Sequence, residues 1–226
     1  MILVPVKNLA NAKQRLAPVL EQSVRTELAQ AMLRDVLEAL LGYEVSLVTS
    51  DPLAVELASE HGFTVICDEA NISETDAIAM ATQFCESRGM RTTLVIPADI
   101  PLIDATEIQA TYDSAPVRGS VLVPSHDKRG TNAVLRCPAA LFPLRFGNDS
   151  FMPHLTAAIA TNTSCVVLSQ PGIGLDIDTP DDLEQLALSP GGKRSQLLAR
   201  KLGFGVSTRP VARVGAGGQN LAVAKS

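Results

Sequence analysis

The residues with the most chemistry to offer lie in GLDIDTPDDL, where Asp176, Asp178, Asp181 and Asp182 fall within seven positions. Aspartates at the start of a helix are ordinarily caps, so that role is assigned first. Thr179, Pro180 at the first helical position and Asp182 three residues after the threonine complete a capping box. Asp176 and Asp178 are left over. If residues 175–178 close a strand, the period of two sends both carboxylates to one side and Leu175 and Ile177 to the other. Two neighbouring anions that nothing nearby in the sequence neutralises call for a divalent cation, with exposed strand-end aspartates as the plain alternative.

IPADIPL raises the same question, because Asp99 follows the apolar run LVI and sits between Pro97 and Pro101, which keep the loop out of a helix. Asp104 already serves the next helix as its cap. At the other end of the chain, Lys7 follows a nearly unbroken apolar run over residues 1–6, with Lys13 and Arg15 close behind. Neither GxGxxG nor GxxxxGK[ST] follows that run, so the cations stand in for a glycine-rich phosphate loop. In open α/β sheets the ligand site lies beyond the carboxyl ends of the strands, which is where Lys7, Asp99 and the Asp176/Asp178 pair all fall. Three carboxylates for magnesium, faced by cations suited to phosphates, are the constellation of phosphoryl or nucleotidyl transfer.

The elements that must position these groups alternate. Val24, Leu28, Met32, Val36 and Leu40 recur every four positions in a helix that Ser23 can cap and Gly42 can end. The strand EVSLVTS, a helix capped by Asp51 and closed by Gly62, and the strand FTVICD follow. Ser73 and Asp76 open a third helix running to about Arg88, TTLVIP reads as a continuous apolar strand, and Asp104 with Glu107 caps the next helix. The second half carries strands near GSVLVPS, TNAVLRC and SCVVLS, with helices after Ser150 and after Thr179. This alternation predicts an α/β fold with a mostly parallel sheet and helices on both faces. From Ser189 the texture becomes Gly-rich, apart from a short helical stretch at 196–202, so a domain over residues 1–188 with a flexible or partner-bound appendage at 189–226 is expected.

With 226 residues, 46% of them hydrophobic, the chain can bury a sizeable aliphatic core. A net charge of -5 argues against a nucleic-acid or membrane-surface binder, so anions must be met by locally placed cations. Its apolar runs are too short to span a bilayer, and its start lacks the basic and hydrophobic regions of a signal peptide, so a cytoplasmic protein is expected. Cys67, Cys85, Cys137 and Cys165 are scattered, without a CxxC pair, and read as reduced thiols. His61 and His154 read as helix-end or surface histidines, while His126 is set apart only by its neighbours.

VPVKNLANAKQRL, PADIPL, RGTNAVL, FGNDSF and DIDTPDDL, in that order over residues 1–188, together resemble the small guanylyltransferases of deazaflavin coenzyme F-420 biosynthesis. These act on 2-phospho-L-lactate, phosphoenolpyruvate or 3-phosphoglycerate and have a Rossmann-like, three-layer nucleotidyltransferase fold. The resemblance implies that Asp99, Asp176 and Asp178 hold magnesium, that Lys7 contacts phosphate, and that Thr131, Gly147 and Ser150 bind the phospho-acid. Gly147 and Ser150 ahead of a helix agree with this, since backbone N–H groups at a helix N-terminus favour an anion. Plain capping is the alternative for Ser150, a turn role for Thr131 and Asn132, and a solvated helix face for Lys13 and Arg15, which otherwise reach the triphosphate. The chain departs from the family in carrying Glu74 and Thr75 where a Leu-Asn pair is common, and Ala98 where Gly often precedes the aspartate.

The reaction so implied is attack by an acceptor phosphate oxygen on the α-phosphorus of GTP with loss of pyrophosphate. A homodimer and delivery of the product to a downstream deazaflavin transferase are expected with it. Two rival readings stand beside this one: another nucleotidyltransferase of the same fold acting on a molybdenum cofactor or sugar phosphate, and a non-catalytic nucleotide-binding module.

Overall fold

The computed structural model describes residues 1–70, 72–147 and 149–206; Asn148 of the FGNDSF motif and residues 207–226 of the expected appendage lie outside them. Seven strands form one sheet: β1 (Ile2–Pro5), β2 (Val45–Thr49), β3 (Thr64–Cys67), β4 (Thr93–Val95), β5 (Gly119–Pro124), β6 (Thr131–Cys137) and β7 (Ser164–Val167), ordered β3-β2-β1-β4-β6-β5-β7. All neighbouring pairs are parallel except those of β6, which runs antiparallel to β4 and β5. The reversal matters for the site. It brings the first residues of β6, Thr131 and Asn132, to the edge where the other strands end, with Thr131 opposite Pro124 at the end of β5.

β1 is wholly buried because it is apolar on both faces and lies between β2 and β4. Its alternating side chains feed two cores. Ile2, Val4 and Val6 pack with Leu33, Val36 and Leu37 of α1 (Gln22–Ala39) and Leu57 of α2 (Pro52–Glu60). Leu3 packs on the other face with Ile78 and Cys85 of α3 (Glu74–Ser87) and with Val134 and Phe142. The remaining helices are α4 (Ala105–Asp113), α5 (Phe151–Ala160), α6 (Pro171–Gly174), α7 (Pro180–Leu188) and α8 (Arg194–Lys201). Asp51, Ser73, Asp104 and Thr179 cap α2, α3, α4 and α7 as expected, the last through the complete box with Asp182.

Three expectations change. Ser23 does not cap α1, whose N-cap is Glu21 without a side-chain bond; the entry is fixed instead by buried Arg25, which donates to the Leu20 carbonyl at 2.7 Å. Glu107 does not join Asp104 in a capping box but accepts N–H bonds from Gly172 (2.7 Å) and Ile173 (2.9 Å), holding α6 against α4. Finally, the packed body does not stop at residue 188. Leu198 and Ala199 of α8 complete a third core with Leu28 and Met32 of α1, Leu183 and Leu186 of α7, and Leu175 and Ile177. Asp35 of α1, only 2% exposed, accepts from the Arg194 and Ser195 N–H groups at 3.0 and 2.9 Å and from the Ser195 hydroxyl at 2.5 Å. A buried carboxylate must be satisfied, and the partners of this one lie about 160 positions downstream, behind a Gly-rich stretch.

Candidate active site

The loops that leave β1 and β4 meet residues 175–178 at the open edge of the sheet. Leu175 and Ile177 are drawn into the third core, and the Ile177 N–H donates to the Asp99 carbonyl at 3.0 Å. Residues 175–178 are therefore extended but not a strand, and the expected alternation of aspartates and buried aliphatics holds because of the anchoring core. On the β1 side, Lys13 has a left-handed backbone, φ 56°, uncommon for a residue with a side chain. Its ammonium lies 2.7 Å from Asp99 Oδ2 and 3.0 Å from Asp178 Oδ1, and its side chain is 8% exposed. Arg15 adds a contact of 3.0 Å to Asp178 Oδ2.

The electrostatics follow from these contacts. Burial works against the charge on Lys13, yet Asp99 and Asp178 outweigh it and hold the ammonium above the ordinary lysine range. Burial also works against Asp178, and Lys13 and Arg15 reverse it, lowering the carboxyl below its usual value. Asp176 differs. Burial raises it and the neighbouring Asp99 and Asp178 add to that, while the Asn132 amide, donating at 3.0 Å, opposes the rise. Nothing nearby in the sequence neutralises the Asp176/Asp178 pair, but remote residues meet it: Lys13 and Arg15 offset Asp178, and the Asn132 amide donates to Asp176. Asp99 and Asp178 converge on one cation, and no cluster of three His, Cys, Asp or Glu side chains is set to hold a metal among the described residues.

Two cavities flank this cluster. The smaller, about 390 Å³, has Lys7, Lys13, Glu74 and Asp99 in its wall, with Leu9 and Met32 among its apolar lining. Lys7 is partly exposed, 4.0 Å from Asp68 Oδ2. Glu74, half-buried in the first turn of α3, was not expected at the site; burial and then Asp99 push its carboxyl up to about 7 against the pull of Lys7 and Lys13. The larger cavity, about 880 Å³, is lined by Arg15, Arg129, Gly147, Asp176 and Asp178. Lys13 stands in one wall and its partner Asp178 in the other, so the ion cluster is the partition between the two.

Gly147, at φ 128°, borders the larger cavity, and a Cβ added there would meet no atom within 4 Å. Thr131 and Ser150 lie deeper, at 6% and 5% exposure. Ser150 occupies the N-cap position of α5 but makes no capping bond; its hydroxyl donates to Thr131 Oγ1 at 3.4 Å. Plain capping is therefore not its role. His154, expected on a surface or at a helix end, is 1% exposed and contacts Thr131 Oγ1 through Nδ1 at 3.0 Å. It lies four residues after Ser150, the spacing that puts both on one face of a helix, and that face turns inward. His61 does sit at a helix end, as the C-cap of α2, and exposed His126 borders the larger cavity.

The mostly parallel sheet, with a cation-bridged carboxylate pair between two cavities at its open edge, is the frame in which comparison with known proteins places a nucleotidyltransferase. A solved protein described as a nucleotide-diphospho-sugar transferase, from Desulfovibrio desulfuricans, has the same fold, with a TM-score of 0.73 over 88% of this chain and 93% of that one at 18% identity. The family model described as "Guanylyl transferase CofC like" matches residues 1–216, and the chain belongs to that family. Curated relatives include a phosphoenolpyruvate guanylyltransferase of Roseiflexus castenholzii, 35% identical over 88% of this chain and 93% of its own length. The 2-phospho-L-lactate guanylyltransferase of Methanothermobacter thermautotrophicus is 32% identical over 90% and 91%, and the 3-phospho-D-glycerate guanylyltransferase of Colwellia psychrerythraea is 33% identical over 83% and 90%.

Proposed function

We propose that this enzyme transfers the guanylyl group of GTP to the phosphate of a small phosphorylated carboxylic acid, 2-phospho-L-lactate, phosphoenolpyruvate or 3-phosphoglycerate, in coenzyme F-420 biosynthesis. An acceptor phosphate oxygen attacks the α-phosphorus, the new P–O bond forms, and the bond to pyrophosphate breaks. Besides the family, one observation carries this reading: Lys13, Asp99 and Asp178 form a single ion cluster that belongs to the walls of both cavities. A junction between two polyanions needs charge at the point where they meet, and the cluster is at that point.

The smaller cavity, with apolar walls and Lys7 and Lys13, is assigned to a base with its phosphates, and the larger to the acid, where Arg15 and Arg129 are the cations among six aspartates. Lys7 and Lys13 would offset the triphosphate, Arg15 the phosphates at the junction, and Thr131, Ser150 and the Gly147 backbone would orient the acid. The acceptor phosphate is already a nucleophile at neutral pH, so no general base is required and alignment is the larger contribution, roughly 7 to 11 kcal/mol where reactants are well held. Asp99 and Asp178 fit magnesium, since that ion takes one or two carboxylates and completes its shell with phosphate oxygens and water. Asp176, held by Asn132, is the third carboxylate of the proposed magnesium set, although the three are not gathered into one cluster among the described residues. When bound, the ion would neutralise charge developing around the transferred phosphorus.

No helix among the described residues is long and apolar enough to cross a membrane, which accords with action in the cytoplasm. A homodimer and a downstream deazaflavin transferase as recipient of the product complete the proposal. The test is pyrophosphate release with GTP and magnesium across the three acids. Turnover with one of them and weak turnover with ATP is expected; no release with any acid would overturn the reading.

A further inference from the structure

His154 is buried, titratable and unused by the reaction just described. Its two ring nitrogens face different partners. The Arg145 backbone N–H lies 2.8 Å from Nε2 and can only donate, so Nε2 accepts and carries no proton. Burial, and then the nearby Arg136 guanidinium, bring the imidazole down to about 4, so near neutral pH the ring is uncharged and its single proton is on Nδ1. That proton points at Thr131 Oγ1, 3.0 Å away. Phe146, edge-on at a centroid distance of 5.3 Å, packs against the ring and fixes its plane.

A threonine hydroxyl has two acceptor positions and one donor. At Thr131 Oγ1 the Nδ1–H of His154 and the hydroxyl of Ser150 fill the acceptor side. We infer that His154 is a positioning residue: held as its Nδ1–H tautomer, it makes the Thr131 hydroxyl a one-way donor toward an anionic oxygen of the phospho-acid. The inference rests on the acceptor site proposed above. A hydroxyl free to rotate would offer an anion its lone pairs as readily as its proton, whereas a pre-set donor has no such ordering cost on binding.

Two amides separate the duties of the ring. Asparagine can place an N–H where Nδ1 is and so keep the bond to Thr131; glutamine can place a carbonyl where Nε2 is and so keep the bond from Arg145. His154→Gln is expected to raise KM for the phospho-acid about tenfold with KM for GTP unchanged, the loss of one hydrogen bond to a charged group. His154→Asn should stay within about threefold of wild type. In a Thr131→Val background the difference between Gln and Asn should vanish. Equal acceptor KM values for the two variants in the wild-type background, or a matching rise in KM for GTP, would overturn the inference. If neither variant folds, nitrogen NMR of the wild-type imidazole decides, with protonated Nδ1 and bare Nε2 expected and the opposite tautomer contradicting it. Wild-type turnover is measured alongside: its absence would sink the acceptor reading, while the tautomer and the binding of each acid by calorimetry would still judge His154.

Discussion

The smaller cavity holds its charge in ion pairs and crowded carboxylates, with Lys7, Lys13, Glu74 and Asp99 in its wall, whereas behind the larger one Ser150, Thr131 and His154 form a chain of neutral hydrogen bonds. The two arrangements respond differently to a ligand. In the ion cluster, Lys13 and Arg15 together offset Asp99 and Asp178, so neither the ammonium nor the carboxylates are left buried and uncompensated. Those pairs can be exchanged for a phosphate and a metal ion without creating an orphan charge. In the neutral chain the donors of Ser150 and His154 are already assigned to Thr131, whose own hydroxyl proton is left for a ligand, and all three residues are between 1% and 6% exposed. The ion cluster adapts to charge, and the buried hydrogen-bond chain selects by shape and donor direction.

Removing a charge from the ion cluster between the cavities should have the largest effect. Asp178→Asn keeps the shape of the side chain but leaves Lys13 and Arg15 with one carboxylate fewer between them. Turnover is expected to fall at least about a hundredfold, close to 3 kcal/mol of transition-state stabilisation, with the magnesium requirement shifted upward. Asp176→Asn, whose carboxyl rests on Asn132 rather than on Lys13, should lose less. Turnover measured against magnesium concentration decides, and equal losses would mean that the two aspartates act as one unit.

On the neutral side, Thr131→Val removes the hydroxyl and should raise acceptor KM about tenfold while leaving kcat nearly unchanged, because the lost bond serves binding more than chemistry. A fall in kcat with acceptor KM intact would place Thr131 with the charged group instead.

The smallest effect concerns stability. Glu74 has its carboxyl raised from 4.5 to about 7, so the folded protein holds that proton more tightly than the unfolded chain does. Its penalty is absent below the unfolded value, grows as pH rises through the interval, and is complete above about 7. In the metal-free protein Glu74→Gln should therefore be more stable than wild type at pH 8 by on the order of 1 kcal/mol, with no advantage at pH 4. Chemical denaturation at the two pH values checks this, and an equal gain at both would assign the effect to packing.

Much of this was legible in the sequence because it is local. The buried run of β1, the Thr179–Asp182 box and the proline-flanked Asp99 all depend on neighbours a few positions away, and spacing alone announces them. What the sequence concealed depends on contacts across the fold. Lys13 reads as a cation for the triphosphate, with a solvated helix face as the alternative, and nothing nearby in the sequence announces its carboxylate partners 86 and 165 positions away. Asp35 reads as an ordinary helix-surface aspartate until α8 closes over it, and the Gly-rich texture around α8 hid that closure. His154 offered a usable signal in its four-residue spacing from Ser150, but only the return of β6 to the same edge shows what that face meets.

The division of labour between the two cavities is the central claim, and steady-state kinetics on Lys7→Ala and Ser150→Ala test it most directly, with KM for GTP and for the phospho-acid measured separately on each. Lys7→Ala should raise KM for GTP severalfold and spare the acid, and Ser150→Ala should raise KM for the acid and spare GTP. If both variants moved the same KM, or if the two effects were crossed, the assignment of the nucleotide to the smaller cavity and the acid to the larger would be contradicted.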